Sequence, residues 1–169
     1  ISHHNKWRLI TTIFSSWISR VQQIINACEK YDKYIFLSGR SMVENIAIAK
    51  DLWYLKSKTG RIRKMTPKNT QWIPLDKQII ITTWSQWEEF SALTRMAEWR
   101  HNSIEILAWD TIVFSSSVVP GNEKSVYWVI NKLIKLWANV ITRDDGEVHT
   151  WGHAFQEEQK IMLNLVNAN

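Results

Sequence analysis

Short runs rich in Ile, Val, Phe and Thr alternate along this chain with longer stretches in which apolar residues recur every three or four positions. The short runs, at residues 8–14, 34–37, 78–83, 111–114 and 139–142, predict β-strands, because β-branched and aromatic side chains pack well on a pleated surface. The longer stretches, at residues 16–30, 41–52, 88–98, 122–136 and 156–165, predict helices with one apolar stripe each. Parallel strand pairs need a crossover, and a crossover helix packs back on the sheet. Regular alternation therefore predicts an α/β fold, a parallel sheet of about five strands flanked by helices on both faces in a Rossmann-like three-layer arrangement. At 169 residues and 45% hydrophobic, the chain has enough apolar mass for one domain, spanning 1–169.

The pattern lapses between Trp53 and Leu75. There Lys56, Lys58, Arg61, Arg63, Lys64 and Lys68 occur without an acidic residue, and the stretch carries Pro67 and Pro74. This basic connection reads either as a phosphate-contacting surface or as a solvated loop. The net charge of +5 suits a polyanionic partner, though many unrelated domains are as basic. One cysteine, Cys28, excludes an internal disulfide and a site built on several thiolates, and points to a reducing, cytoplasmic setting. No stretch is apolar for long enough to span a bilayer, so no membrane association is expected.

Composition alters the picture at one point. The chain has 11 Trp and 5 Gly, where the usual share of about 7% would give roughly 12 Gly. Trp53, Trp99 and Trp137 each stand just past a predicted helix, where glycine is favoured because it enters the left-handed region without strain. Trp84 and Trp87 bracket a strand-to-helix turn, and Trp109 precedes a strand, both natural glycine positions. Random enrichment would not prefer helix ends and tight turns. The distribution is the one expected if UGA codons that specify glycine in the organism have been read as tryptophan; the alternative is a genuinely Trp-rich protein.

In open α/β sheets ligands bind at the carboxyl ends of the strands, so the strand-to-helix loops are the candidate site. Phe14-Ser15-Ser16 and Ser38-Gly39-Arg40-Ser41 offer hydroxyls and backbone amides at helix starts, suited either to an anion or to plain capping. The loop from Thr82 to Glu89 holds Ser85 and Gln86 between Trp84 and Trp87, and with glycine at those two places its backbone could approach a phosphate or base closely. Ser115, Ser116 and Ser117 precede a Pro120-Gly121 turn into a helix. His149 and His153 stand four apart around Gly152 at the entrance of the last predicted helix, a pair able to bind phosphate or move a proton, or simply to cap. His3, His4 and His101 have no evident partner in the sequence.

In this order and spacing, five segments resemble the beta-CASP domain of bacterial ribonuclease J, a branch of the metallo-beta-lactamase superfamily. They are TTIFSSWISRVQ (11–22), GRSM (39–42), TTWSQWEEFSALTRMA (82–97), DTIVFSSSVVPGNE (110–123) and HTWGHAFQEE (149–158). The resemblance places glycine in the family at Trp84, Trp87, Trp99, Trp109 and Trp137. It implies a two-zinc phosphodiester hydrolase that digests RNA from a 5′-monophosphate end and also cuts internally, acting in RNA processing and decay as a homo-oligomer, with this domain clamping the RNA. By the same resemblance His153 would be the catalytic histidine, as proton donor or phosphate stabiliser. His149 and Gly152 would hold the scissile phosphate, and Ser85, Gln86, Ser115, Ser116 and Ser117 would line the nucleotide or 5′-phosphate pocket.

The sequence also departs from the family. It contains no His-x-His-x-Asp-His zinc cluster, so the zinc domain is expected to be absent from this fragment, which alone would bind no metal and cleave no RNA. Trp17 stands where the family has Asn and Trp151 where it has Ser, which puts contacts there in doubt; Trp128 lies inside a predicted helix. Another beta-CASP nuclease or a non-catalytic nucleic-acid-binding module are the alternatives. A free-standing nucleotide-binding domain is disfavoured, because no glycine-rich fingerprint follows the first strand.

Overall fold

A computed structural model describes residues 7–83, 92–115 and 118–145. Six strands, β1 (Leu9–Ile13), β2 (Tyr34–Ser38), β3 (Ile62–Lys64), β4 (Gln78–Thr83), β5 (Thr111–Phe114) and β6 (Asn139–Ile141), form one sheet in the order β3-β2-β4-β1-β5-β6. Every pairing is parallel. The helices are α1 (Ile18–Lys30), α2 (Arg40–Asp51), α3 (Pro67–Thr70), α4 (Ala92–Ala97) and α5 (Glu123–Lys135).

Strand side chains alternate between two cores, as the period of two requires. On one face Ile35, Leu37, Ile79 and Ile81 meet Val21, Ile25 and Cys28 of α1 and Met42, Ile46 and Ala49 of α2. On the other, Ile10, Phe36, Ile80 and Ile112 meet Leu93 and Met96 of α4 and Val126, Val129 and Leu133 of α5. The predicted three-layer α/β fold is therefore present. β1 and β4 lie side by side yet their following helices pack on opposite faces, the arrangement at whose carboxyl ends open α/β sheets bind ligands.

The sheet exceeds the expected five strands by β3, which lies inside the basic connection. Only Ile62 of its three residues is apolar, and it pairs at the sheet edge with β2, where Arg63 and Lys64 stay exposed and discourage further strand addition. Periodicity cannot register so short an element. Thr66 caps α3 by accepting from the Asn69 amide, with Pro67 at the first helical position. Of the predicted helix at 88–98, residues 92–97 are described as helical; the helix at 156–165 lies outside the described residues.

The rest of the basic connection is tied down from α1. One carboxylate oxygen of Glu29 accepts from the Ser57 hydroxyl at 2.9 Å and from the amides of Lys58 and Thr59 at 2.7 and 3.2 Å. Desolvation alone would raise the Glu29 pKa, but the bonds from Ser57, Thr59 and Lys58 together outweigh it and hold the carboxyl below its ordinary value. A depressed folded-state pKa makes the contact fully effective above the ordinary carboxylate value and lost only as pH falls through the lowered one. Glu29→Gln is expected to speed amide hydrogen exchange at Lys58 and Thr59 several-fold at neutral pH while leaving β1 and β4 unchanged; unaltered exchange at 58 and 59 would refute this anchoring.

The helix ends account for three of the tryptophans. Among the described residues, non-glycine positive φ occurs at Asp32, Trp53, Trp99, Trp109 and Trp137, at 55°, 62°, 60°, 72° and 62°. Three of the tryptophans close helices in the same way. Trp53 and Tyr54 donate to the carbonyls of Lys50 and Ala49, Trp99 and Arg100 to those of Met96 and Arg95, and Trp137 and Ala138 to those of Ile134 and Leu133. This is the Schellman arrangement, whose left-handed residue is ordinarily glycine. Asp32 fills the same place after α1, and Asp tolerates that conformation better than Trp. The four indoles stand out in solvent, 58–82% exposed, so packing does not compensate for the backbone strain. Trp17 differs: it is the N-cap of α1 at φ −84°, makes no side-chain cap, and rests against Phe14 and Arg20.

Candidate functional site

The carboxyl edge of the sheet carries a hydroxyl at the end of nearly every central strand: Ser15 after β1, Ser38 ending β2, Thr83 ending β4 and Ser115 after β5. Parallel strands place these together because their ends share one side of the sheet. Of the residues to which the family resemblance gives a role, Ser115 is described. It is buried, and its hydroxyl accepts from Nη1 of Arg20 at 2.9 Å. Ser85, Gln86, Ser116, Ser117, His149, Gly152 and His153 lie outside the described residues.

Arg20 is the cation that sequence reading left out. It leaves the first turn of α1, crosses to the end of β5, and also lies over the Trp17 ring at 5.9 Å. The available signal was its place in the 11–22 segment, one helical turn beyond Ser16. The Asn45 amide donates to the Ser15 hydroxyl at 3.1 Å, tying the β1 loop to α2. The edge is thus furnished with oriented hydroxyls and a guanidinium, groups that hold an anion rather than attack one.

His101, without an evident partner in the sequence, sits in the structure 3.2 Å from the Ser38 hydroxyl through Nε2. Its Nδ1 accepts from the Ser103 amide at 3.2 Å. Burial and the nearby Arg95 both lower its pKa, which favours the neutral ring. Sixty-three residues separate the two partners, so no local pattern could announce the contact.

Among the described residues no group of three or more His, Cys, Asp and Glu converges on one point, so they do not fit a zinc centre. Cys28 is no substitute: it lies on the buried face of α1, and burial pushes its thiol up to about 12, far from a reactive thiolate. Among the described residues, no helix is long and apolar enough to cross a membrane.

Comparison with known proteins agrees with this architecture. The family model described as "Ribonuclease J, beta-CASP domain" matches residues 6–133. Over 159 residues, 94% of the chain, the sequence is 40% identical to Ribonuclease J of Mycolicibacterium smegmatis, covering 28% of that protein. It is 41% identical over 158 residues to Ribonuclease J of Thermus thermophilus, covering 27% of it, and 41% identical over 159 residues to that of Helicobacter pylori strain J99, covering 23%. The chain thus spans about a quarter of the length of these relatives. With a match across most of its residues and an all-parallel sheet beneath them, the chain belongs to the ribonuclease J beta-CASP domain family.

Proposed function

We propose that residues 1–169 form the RNA-gripping part of a zinc-dependent ribonuclease that cuts RNA both from its 5′-monophosphate end and internally, in RNA processing and decay. The observation that carries this reading is the 40% identity to proteins named Ribonuclease J over nearly the whole chain. The Arg20–Ser115 and Asn45–Ser15 pairs after β5 and β1 support it, since polar groups at the carboxyl ends of parallel strands suit a phosphate. The described residues offer no ligand set for zinc, so the two ions would be held by a separate domain of a longer protein, and this chain alone would not cleave RNA. Zinc, when bound, would supply an activated hydroxide. This chain would hold the RNA strand over it, with Ser85, Gln86, Ser116 and Ser117 joining Ser115 around the terminal phosphate. His149 and Gly152 would hold the scissile phosphate, and His153 would give a proton to the leaving oxygen or steady the charge on phosphate. The complete enzyme would work in the cytoplasm as a homo-oligomer.

The test is degradation of 5′-monophosphorylated RNA by the complete protein that carries this chain. His153→Ala is expected to lower kcat by about 10²–10⁴-fold, the usual contribution of a positioned acid or base, with KM changed little. Unchanged kcat in that variant would remove His153 from the chemistry. A complete protein that binds RNA but never cleaves it would instead favour a non-catalytic clamp.

A further inference from the structure

A cleft of about 390 Å3 opens at the end of β2, apart from the Arg20–Ser115 array. Ser38, Arg40, Glu44, Lys64 and His101 stand in its walls, and Leu37 and Met65 supply apolar surface. β4 and β1 separate β2 from β5 in the sheet, so at about 4.8 Å per strand the cleft lies about 14 Å from Ser115. We infer that this cleft is a second nucleotide subsite, which takes one phosphate-bearing nucleotide unit of the RNA held by the enzyme. The inference rests on the ribonuclease reading above for its ligand class and on the cleft's own chemistry for the rest.

The hydrogen bonds fix which way the donors face. An amide can only donate, so the Ser103 N–H assigns Nδ1 of His101 as the acceptor nitrogen, and the neutral ring then carries its proton on Nε2. That proton goes to the Ser38 oxygen. His101 is therefore not a base that activates Ser38 as a nucleophile; it turns the serine into a fixed donor whose own hydrogen is left for a ligand. Ser38 is 4% exposed, so this donor is held rigidly in the cleft wall.

The surroundings select the ligand. Arg40 and Lys64, both exposed, add two cationic groups from either side of the cleft. Gly39, at φ +100°, lets α2 begin at this point: a Cβ there would lie 2.9 Å from Oγ1 of Thr83. Glu44, one turn along α2 from Arg40, is the acidic group of the wall. A carboxylate beside cations opposes a bare anion but suits a nucleotide, whose ribose hydroxyls and base amines need an acceptor. The volume also matches an organic ligand, since sites for small molecules begin at about 300 Å3. Leu37, Val43 and Met65 are the apolar residues of the cleft's lining.

The test is hydrogen–deuterium exchange of the complete protein with adenosine 5′-monophosphate and with an oligoadenylate decamer. Both probes are expected to slow exchange at residues 39–44 and 101–103, and stronger protection by the decamer identifies the occupant as a nucleotide within a chain. Ser38→Ala and Arg40→Ser are each expected to weaken this protection about tenfold, the usual loss for one bond to a charged group. Arg40 is exposed, so that variant reports even where Ser38→Ala disturbs folding. Lys135→Ser, an exposed cation on α5, should leave the protection intact. No protection at 39–44, or a loss as large in Lys135→Ser as in Arg40→Ser, overturns the subsite. RNA degradation by the wild type is read separately, so its absence would overturn the ribonuclease reading and not the cleft.

Discussion

Replacing Trp53, Trp99, Trp109 and Trp137 together by glycine is expected to raise the melting temperature by about 5–15 °C. A side-chain-bearing residue in the left-handed region costs about 1–2 kcal/mol, and glycine gives back about 0.5–1 kcal/mol through its freer unfolded chain. The net gain is then about 0.5–1 kcal/mol per site, or about 2–4 kcal/mol for four, and each kcal/mol moves a domain of this size by about 2–4 °C. Little is lost in packing, because all four indoles are mostly exposed.

The control that isolates the backbone is the matching set of alanines. Alanine removes the exposed indole as completely as glycine does but keeps the Cβ that causes the strain. Glycine is therefore expected to stabilise and alanine to gain far less. Equal gains from both would assign the effect to the removed aromatic surface and discard the strain argument. The gene supplies an independent check. UGA is expected at the positions with positive φ, whereas UGG there would make the tryptophans genuine. Trp17 and Trp128 serve as comparison positions, because neither has positive φ.

Much of the fold was legible because it is written in periodicity. The five predicted strands and the helices around α1, α2 and α5 lie within a few residues of their observed positions, since buried strands and amphipathic helices must repeat their apolar residues at fixed intervals. The helix ends were legible through tryptophan itself, because the Schellman closure demands a left-handed residue and the chain placed its most conspicuous residue there. What escaped was non-periodic or non-local. β3 is held by pairing with β2 rather than by its own pattern, and Ile35 also takes a bond from its amide to the Arg61 carbonyl.

The site was less legible than the fold for the same reason. Ser115 could be singled out because three serines follow a strand, but its partner Arg20 lies 95 residues away and looks like an ordinary helix-surface cation. The Ser38–His101 contact likewise forms only when the segment after α4 returns across the end of β2. Sequence segments named the strand ends of the candidate site; side-chain partnerships across the edge needed the sheet order.

The amino-terminal edge of the sheet holds the other large expected effect. Arg8 Nε lies 2.9 Å from both carboxylate oxygens of Asp110, and Nη2 lies 2.7 Å from one of them, with both residues buried. The Leu107 amide donates to the same carboxylate at 2.8 Å, and Arg8 donates onward to the Glu105 carbonyl. Burial raises the Asp110 pKa, while Arg8 and the Leu107 amide pull it back. Arg8→Met is expected to cost about 3–5 kcal/mol in urea unfolding at neutral pH, because it strands a buried charge. Arg8→Met with Asp110→Asn is expected to cost less than Arg8→Met alone, since the amide oxygen still accepts from Leu107 and no charge remains. The single variant should also recover toward acid pH. A raised folded-state pKa gives stability that is present below the unfolded value and lost as pH rises through the folded one, and removing Arg8 raises it further. A deficit that is constant with pH, or a double variant no better than the single, would show that Arg8 acts here by packing and not by charge.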